Sequence, residues 1–329
     1  MSRSSRGRLI VTGSLVATSP IHVGGRHGED GIDLALARDG AGHWYVPGTS
    51  LAGPIRSWFE HRFPDLALSN QLLGLLLGPR YQRGADEGSA SLLTVEDAAI
   101  RGHNGTDPVA EIRDNVGIDR RTGSAHVGIK FDRAVLPAGT RLDLRLVVEL
   151  PERVRNIELP PGIAAHDGIA ALTGRLVAAL QAGEIGVGAA RTRGLGDVRL
   201  EQPVIVERTT TRRSMLDALA ATDIASAGTR IDPVELIRRA ETIEPAADAG
   251  IDVVVSWHAD GPLMVRAGED GLAIDNLPLV TTKDDRLVMV LPGSSLKGAL
   301  RSCAERLVRT IRSSNANDGP HHEQVRERL

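Results

Sequence analysis

Pro47-Gly-Thr-Ser-Leu-Ala-Gly-Pro-Ile-Arg-Ser57 recurs in the same chain as Pro292-Gly-Ser-Ser-Leu-Lys-Gly-Ala-Leu-Arg-Ser302, with seven of eleven positions identical. Upstream of each copy stands a second match, Gly31-Ile-Asp33-Leu and Ala273-Ile-Asp275-Asn. The aspartates lie 242 residues apart and the prolines 245. Two motifs in one order at a nearly constant offset mark an internal duplication, which constrains the architecture before anything else does. The two copies continue unequally. The first runs on to about Glu207, where the chain changes character; after the second come only Cys303 to Leu329, polar from Ser313 onward. The sequence therefore divides into a complete domain over 1–207, a helical connector over 208–250 and the N-terminal part of a second domain over 251–329. A piece that short does not close a core unaided. Either the chain is cut short there, or a partner or a missing segment completes it.

Working outward from the first copy, Thr49 or Ser50 is expected to cap a helix running to about Arg62, with Ile55, Trp58 and Phe59 inward and Pro54 in its first turn. Arg8–Ser19 and Trp44–Val46 read as strands. Arg141–Leu150 alternates strictly through Leu142, Leu144, Leu146, Val148 and Leu150, the pattern of a half-buried strand. Ala165–Ala182 carries Ile169, Leu172, Leu176 and Leu180 on one helical stripe and stops at Gly183. Ile185–Leu200 is a glycine loop entering a strand. Thr209–Gly250 reads as helical, with Asp232-Pro233-Val-Glu235 as a cap, a first-turn proline and a box acid. Ile251–Trp257 restarts a strand. Strand, helix, strands, helix, strand is an α+β order of the ferredoxin-like (RRM-like) kind, with the sheet covered on one face.

Composition narrows the function. The chain has 329 residues, 41% hydrophobic and 25% charged, the balance of a folded domain. No apolar run approaches the roughly 20 residues that span a bilayer, the basic N-terminus leads into no signal-peptide core, and a single cysteine, Cys303, excludes an internal disulfide framework. A cytoplasmic location is therefore expected. The net charge of −3 is awkward for a nucleic-acid binder, although local basic clusters coexist with it. Aromatic residues at 2% exclude a stacking platform, so any RNA would be held through its backbone.

Four segments carry candidate chemistry. Gly186-Val-Gly-Ala-Ala-Arg191-Thr-Arg193-Gly194-Leu-Gly196 brings backbone amides and two forked cations near a phosphate. A dinucleotide loop is disfavoured because a helix precedes it and a strand comes after; a plain glycine-rich turn is the bland alternative. The Pro-Gly-Ser/Thr-Ser turn offers a helix N-terminus to an anion, with Ser50, Arg56, Ser295, Lys297 and Arg301 nearby. An ordinary capped helix is its alternative, and Ala52 stands where copy two has Lys297. The loop His22-Val-Gly24-Gly25 to Asp33 presents carboxylates. A solvated or capping aspartate is the commoner case, but Asp33 recurs as Asp275. His22 reads better as a structural histidine than as a general base. Ile118-Asp-Arg120-Arg121-Thr-Gly123 suggests the basic tip of a protruding hairpin, or merely a charged turn.

Taken together, Ile21–Gly25, Gly31–Asp33, Val46–Leu51 with Arg56, Ile118–Gly123 and Gly186–Gly196 resemble, in order, the RAMP superfamily, and specifically the repeated backbone subunit of type III CRISPR effector complexes. The fusion of two copies is similar to the tandem arrangements of type III-D and III-E systems. The resemblance implies a ferredoxin-like RAMP palm with an inserted thumb hairpin near Arg113 to Lys130, followed by a partial second RAMP domain. It implies that the palm holds the guide (crRNA) backbone through Gly24, Gly25, Ser50, Arg56, Arg120, Arg121, Arg191, Arg193, Gly194, Ser295, Lys297 and Arg301. It further implies metal-dependent cleavage of complementary target RNA at Asp33 and Asp275, with Mg²⁺ held by those carboxylates. Its implied partners are crRNA, target RNA and further RAMP, large and small subunits, with no membrane. A purely structural RNA-binding subunit is the alternative function.

Overall fold

The computed structural model describes residues 5–25, 31–66, 71–79, 90–102, 105–119, 125–154, 157–209, 228–247, 250–251, 253–267, 276–283 and 286–311. Elements in chain order are β1 (Ser5–Ala17), β2 (Tyr45–Val46), α1 (Gly48–Arg62), α2 (Leu72–Leu77), β3 (Leu93–Val95), β4 (Ala98–Arg101), β5 (Glu111–Ile118), β6 (Ala125–Val135), β7 (Arg141–Pro151), α3 (Ala165–Ala182), β8 (Val198–Thr209), β9 (Thr229–Ile231), α4 (Pro233–Arg238), β10 (Val280–Lys283), β11 (Arg286–Met289) and α5 (Gly293–Ile311). The class is α+β, as expected.

β1 lies at the centre of a seven-stranded antiparallel sheet in the order β2-β4-β7-β1-β8-β9, with β3 also paired to β7. The alternation of β7 is realised in full: Leu142, Leu144, Leu146, Val148 and Leu150 are buried, while the residues between them are only half-buried. They share one core with Leu9, Val11 and Leu15 of β1, Ile55 and Phe59 of α1, and Ile169, Leu172 and Leu176 of α3. The other face carries cross-strand ion pairs: Arg8–Glu149 at 3.1 Å, Arg101–Asp143 at 2.9 Å, Arg141–Glu201 at 3.1 Å and Arg145–Glu96 at 2.8 Å. These four arginines are neutralised by their partners, whereas Arg208, opposite Arg8 in the β1–β8 register, has two buried guanidinium nitrogens without a partner among the described residues. α3 ends at Gly183, whose left-handed φ of 80° lets the chain turn back.

Three local expectations are corrected. α1 begins at Gly48, two to three residues earlier than a Thr49 or Ser50 cap requires; its N-cap is Pro47, and the Gly48 amide donates to the Asp97 carboxylate at 2.7 Å. Pro54 therefore falls in the second turn. The described part of 208–250 is not uniformly helical. β9 extends the sheet beside β8, and α4 packs so closely on α3 that a Cβ at Gly174 would lie 2.7 Å from the Pro233 carbonyl oxygen. Leu236, Ala240 and Ile243 join the first domain's core. The Asp232 cap is confirmed, its carboxylate accepting from the Val234 amide at 2.8 Å. Lastly, Ile251–Trp257 forms no strand among its described residues.

The duplication is visible as repeated hydrogen bonding. In copy one, Gly25 N–H donates to the Ala35 carbonyl and Ala37 N–H to that of Val23, each at 2.9 Å. In copy two, Ala267 N–H donates to Leu277 at 2.8 Å and Leu279 N–H to Val265 at 2.7 Å. All four residues are displaced by 242. Ser50 N–H to Pro47 and Ser295 N–H to Pro292 repeat at 245. The three extra residues fall in the β10–β11 hairpin. The same register pairs His22 with Met264.

Glu207 and Arg239 tie β8 to the segment after α4 through two charge-assisted hydrogen bonds of 3.0 and 2.7 Å, both side chains largely buried. The guanidinium, donating to the carboxylate, holds Glu207 below the usual carboxylate range. Glu207→Gln is expected to lower stability by about 1.5–3 kcal/mol, read by urea denaturation at pH 7. Because the folded-state pKa is depressed, this contribution is present above the unfolded carboxylate range and is lost as pH falls through the folded value. The gap between wild type and variant should accordingly narrow on acidification.

Candidate nucleic-acid interface

The glycine loop after α3 folds back on itself and onto the start of the first copy. Val187 N–H donates to Gly196 at 2.7 Å, Gly196 N–H to Pro20 at 2.9 Å and Ala189 N–H to His22 at 2.9 Å. Gly188 and Gly196 have φ of +82° and +90°, and a Cβ would stand 2.2 Å from the His22 carbonyl oxygen and 2.3 Å from that of Val187. Only glycine fits at these two positions. The intervening Arg191–Arg193 forms an exposed 3-10 turn.

His22 is buried, and its Nδ1 lies 2.7 Å from the Ala134 carbonyl. Burial pushes its pKa down, outweighing the Ala134 hydrogen bond, and the Arg133 charge acts in the same direction as burial. It is a neutral tether between the glycine loop and the base of the β5–β6 hairpin, the structural role expected of it.

β5 and β6 pair as a separate two-stranded sheet, and their register places like charges opposite one another twice: Arg113 faces Arg133 and Asp114 faces Asp132. Like charges directly across an antiparallel pair are destabilising. Asp114 is relieved by Lys130 at 2.9 Å. Arg113 donates to Glu111 at 3.0 Å, but the buried Nε atoms of both Arg113 and Arg133 have no hydrogen-bond partner among the described residues. Burial, and then the Arg193 charge, push Arg133 below the normal guanidinium range. Arg113, Arg133, Arg193 and Arg266 line one cavity of about 60 Å³ that also includes Asp114 and, from the second copy, Pro292, Ser294 and Ser295. The second copy thus closes a site built on the first. A Cβ at Gly293 would lie 2.5 Å from the Arg193 carbonyl oxygen, and Lys297 Nζ donates to the Thr192 carbonyl at 3.2 Å.

The structure distributes the sequence candidates unevenly. Arg193, Gly194, Ser295 and Lys297 gather at this junction, with Arg191 at the start of the same turn. Gly24 and Gly25 lie beside it in the His22 loop, where a Cβ at Gly25 would meet the Leu36 carbonyl at 2.5 Å. Ser50 and Arg56 do not join them. Asp97 already occupies the first-turn amide of α1, and the Arg56 guanidinium donates to the Leu77 and Gly78 carbonyls, capping α2. Arg301 pairs with Glu305 at 2.9 Å one helical turn on. Arg120, Arg121 and Asp275 lie outside the described residues. Arg113, Arg133 and Asp132 went unread in the sequence; the mirrored Arg113-Asp114 and Asp132-Arg133 are its only hint, and they acquire meaning through the strand register.

Asp33 is exposed and clasped to β6. Its amide donates to Asp132 Oδ1 at 2.6 Å, and the Asp132 amide donates to Asp33 Oδ2 at 3.1 Å. The described residues hold no group of three or more His, Cys, Asp or Glu side chains suited to a metal ion. Mg²⁺, however, is commonly bound by one or two carboxylates completed by water and substrate phosphate, and the adjacent Asp33 and Asp132 fit that donor set. A depression of about 690 Å³ beside Asp39, Trp44, Asp97 and Arg101 is lined by none of the sequence candidates.

Gly188→Ala should force the loop off His22 and lower the thermal midpoint, since it adds a steric clash to an unfavourable φ, a strain of order 1–3 kcal/mol. Calorimetry checks it.

No curated protein matches this sequence. A family model described as RAMP superfamily matches residues 14–199 and 259–325, one region in each copy.

Proposed function

The chain belongs to the RAMP superfamily, and on that premise we propose that it is a guide-RNA-binding backbone subunit of a type III CRISPR interference complex. RAMP proteins act in CRISPR ribonucleoprotein complexes with RNA and other subunits. The observation that carries the reading is the Arg113–Arg133 pair, which with Arg193 faces the cavity closed by the second copy. Such a cluster costs stability in the free protein, and a backbone phosphate would offset the repulsion while taking charge-assisted hydrogen bonds. On the open sheet face Arg8, Arg101, Arg141 and Arg145 are already paired with carboxylates, which makes it the poorer candidate. The strand order β4-β7-β1-β8 supports a ferredoxin-like palm. The β5–β6 hairpin is the candidate thumb; Arg120 and Arg121 fall between its two strands in the sequence. No helix among the described residues is long and apolar enough to cross a membrane.

We further propose that the subunit cleaves target RNA paired to the guide, with Asp33 and Asp275 as the catalytic and metal-holding carboxylates. Asp33, steadied by the Asp132 amide, would hold Mg²⁺ beside the scissile phosphate. When bound, the ion supplies positive charge that offsets the charge developing as the ribose 2′-hydroxyl attacks. The clasp to Asp132 also favours a second reading, in which Asp33 only fixes the loop and the subunit binds RNA without cutting it.

Arg133→Ala and Arg193→Ala should each weaken guide-RNA binding by about tenfold and make log K against log salt shallower by about 0.7, measured by fluorescence anisotropy at several salt concentrations. Unaltered affinity in both would sink the backbone-binding reading. For cleavage, Asp33→Asn keeps an acceptor for the Asp132 amide while removing the charge. In the assembled complex with Mg²⁺, it should abolish one target product and leave guide binding intact, and Asp275→Asn should abolish another. A wild-type complex that binds target uncut would favour the structural reading.

A further inference from the structure

The arginine cavity is shared between the two copies. Copy one supplies Arg113, Arg133 and Arg193; copy two supplies Arg266 and, at the first turn of α5, Ser294 and Ser295. Polar contacts join the copies on both sides of it. Glu111, which pairs with Arg113 at 3.0 Å, also accepts from the Thr281 hydroxyl and, at 3.3 Å, from the Thr282 amide. Opposite, Lys297 Nζ donates to the Thr192 carbonyl, and Gly293 sits against Arg193. Between these contacts the charge is unbalanced. Asp114, the one carboxylate among the described residues of the lining, is held by Lys130 at 2.9 Å. Arg113 is only 9% exposed, and its Nε has no hydrogen-bond partner among the described residues. Like charges gathered across a junction oppose its closure.

From this geometry we propose that a single phosphate-class oxyanion, held jointly by Arg113, Arg133 and Arg193 and by the first turn of α5, is the clasp that seats copy two on copy one. The proposal rests on the reading that this cavity takes a phosphate, and adds that occupancy and seating are coupled. The donors are divided between the copies. Forked guanidinium groups come from copy one, and serine hydroxyls with first-turn amides come from copy two. The same turn in copy one already takes an oxyanion, since the Gly48 amide donates to the Asp97 carboxylate at 2.7 Å. An anion that touches both halves binds fully only when they are together. By linkage it favours the seated arrangement by the same factor by which seating raises its affinity. Water in its place would fill the space and neutralise nothing.

The test uses the full chain freed of RNA, with nitroxides on Cys303 of α5 and on Gln181→Cys of α3, both exposed positions. Double electron–electron resonance then reads the spread of distances between the copies. In chloride alone the distribution should be broad, and inorganic phosphate at constant ionic strength should narrow it to a single distance. Arg193→Ala, at an exposed position, should abolish that response and leave the thermal midpoint unchanged. Ser294→Asp supplies the negative charge from copy two; it should narrow the distribution in chloride and remove the effect of phosphate. Dimethyl phosphate separates the two sources of the anion. Narrowing by it as well supports a clasp that an RNA backbone diester can fill, whereas narrowing by inorganic phosphate alone supports the clasp and counts against the RNA reading. A distribution that is the same with and without phosphate overturns the proposal. So does an undiminished response in Arg193→Ala, or a broad distribution in Ser294→Asp. If phosphate has no effect while Arg133→Ala still loses guide affinity, the clasp fails and the RNA reading stands.

Discussion

Both edges of β1 are hydrogen-bonded, to β7 on one side and β8 on the other. A strand so placed has its polar backbone satisfied by neighbours and can bury its apolar side chains under helices. Leu9, Val11 and Leu15 do so, and α1, α3 and the hairpin base take their positions from that layer. β8 arrives at β1 directly from the glycine loop, so β1–β8 pairing also brings Arg193 beside β6. Without the double ladder neither the core nor the cationic junction forms. Copy two shows the same constraint in reverse: comparable apolar residues at 251 and 253–257, with no strand beside them among the described residues, make no ladder there.

Electrostatics are organised by compartment. On the open sheet face Arg8, Arg101, Arg141 and Arg145 each meet a carboxylate, although Arg208 lies opposite Arg8 without one among the described residues, and the connector is fastened by Glu207 and Arg239. At the junction the balance fails. Arg113 and Arg133 oppose each other by register, Arg193 adds a third charge, and Arg133 is partly desolvated. A net charge of −3 conceals this, because the acids are concentrated where they neutralise other cations. Stabilities are small differences between large terms, and here Arg113 has Glu111 as a partner while Arg133, opposite it, keeps a buried Nε with no hydrogen-bond partner among the described residues.

The two Pro-Gly-Ser/Thr-Ser turns, nearly identical in sequence, have diverged in role. In copy one the turn is sealed by Asp97, and Arg56 is drawn into capping α2. In copy two the turn abuts the glycine loop of copy one and lines the arginine cavity. A motif shared by two domains need not have the same contacts in both, since the neighbours that reach a helix N-terminus come from elsewhere in the chain.

The sequence by itself determined the duplication, the α+β class, the span of α3 with its Gly183 stop, the alternation of β7 and the structural character of His22. Each is written in local periodicity, or in a residue type whose conformational demand is its own. What only the tertiary structure decided was the partner of each polar group. Asp97 at Gly48, Leu77 and Gly78 at Arg56, and Asp132 at Asp33 are contacts between segments far apart in the chain, and no local pattern encodes them. The opposition of Arg113 and Arg133 depends on strand register, and so does the lack of pairing among the described residues of 251–257. Propensity made that segment β-prone; a ladder requires a neighbour.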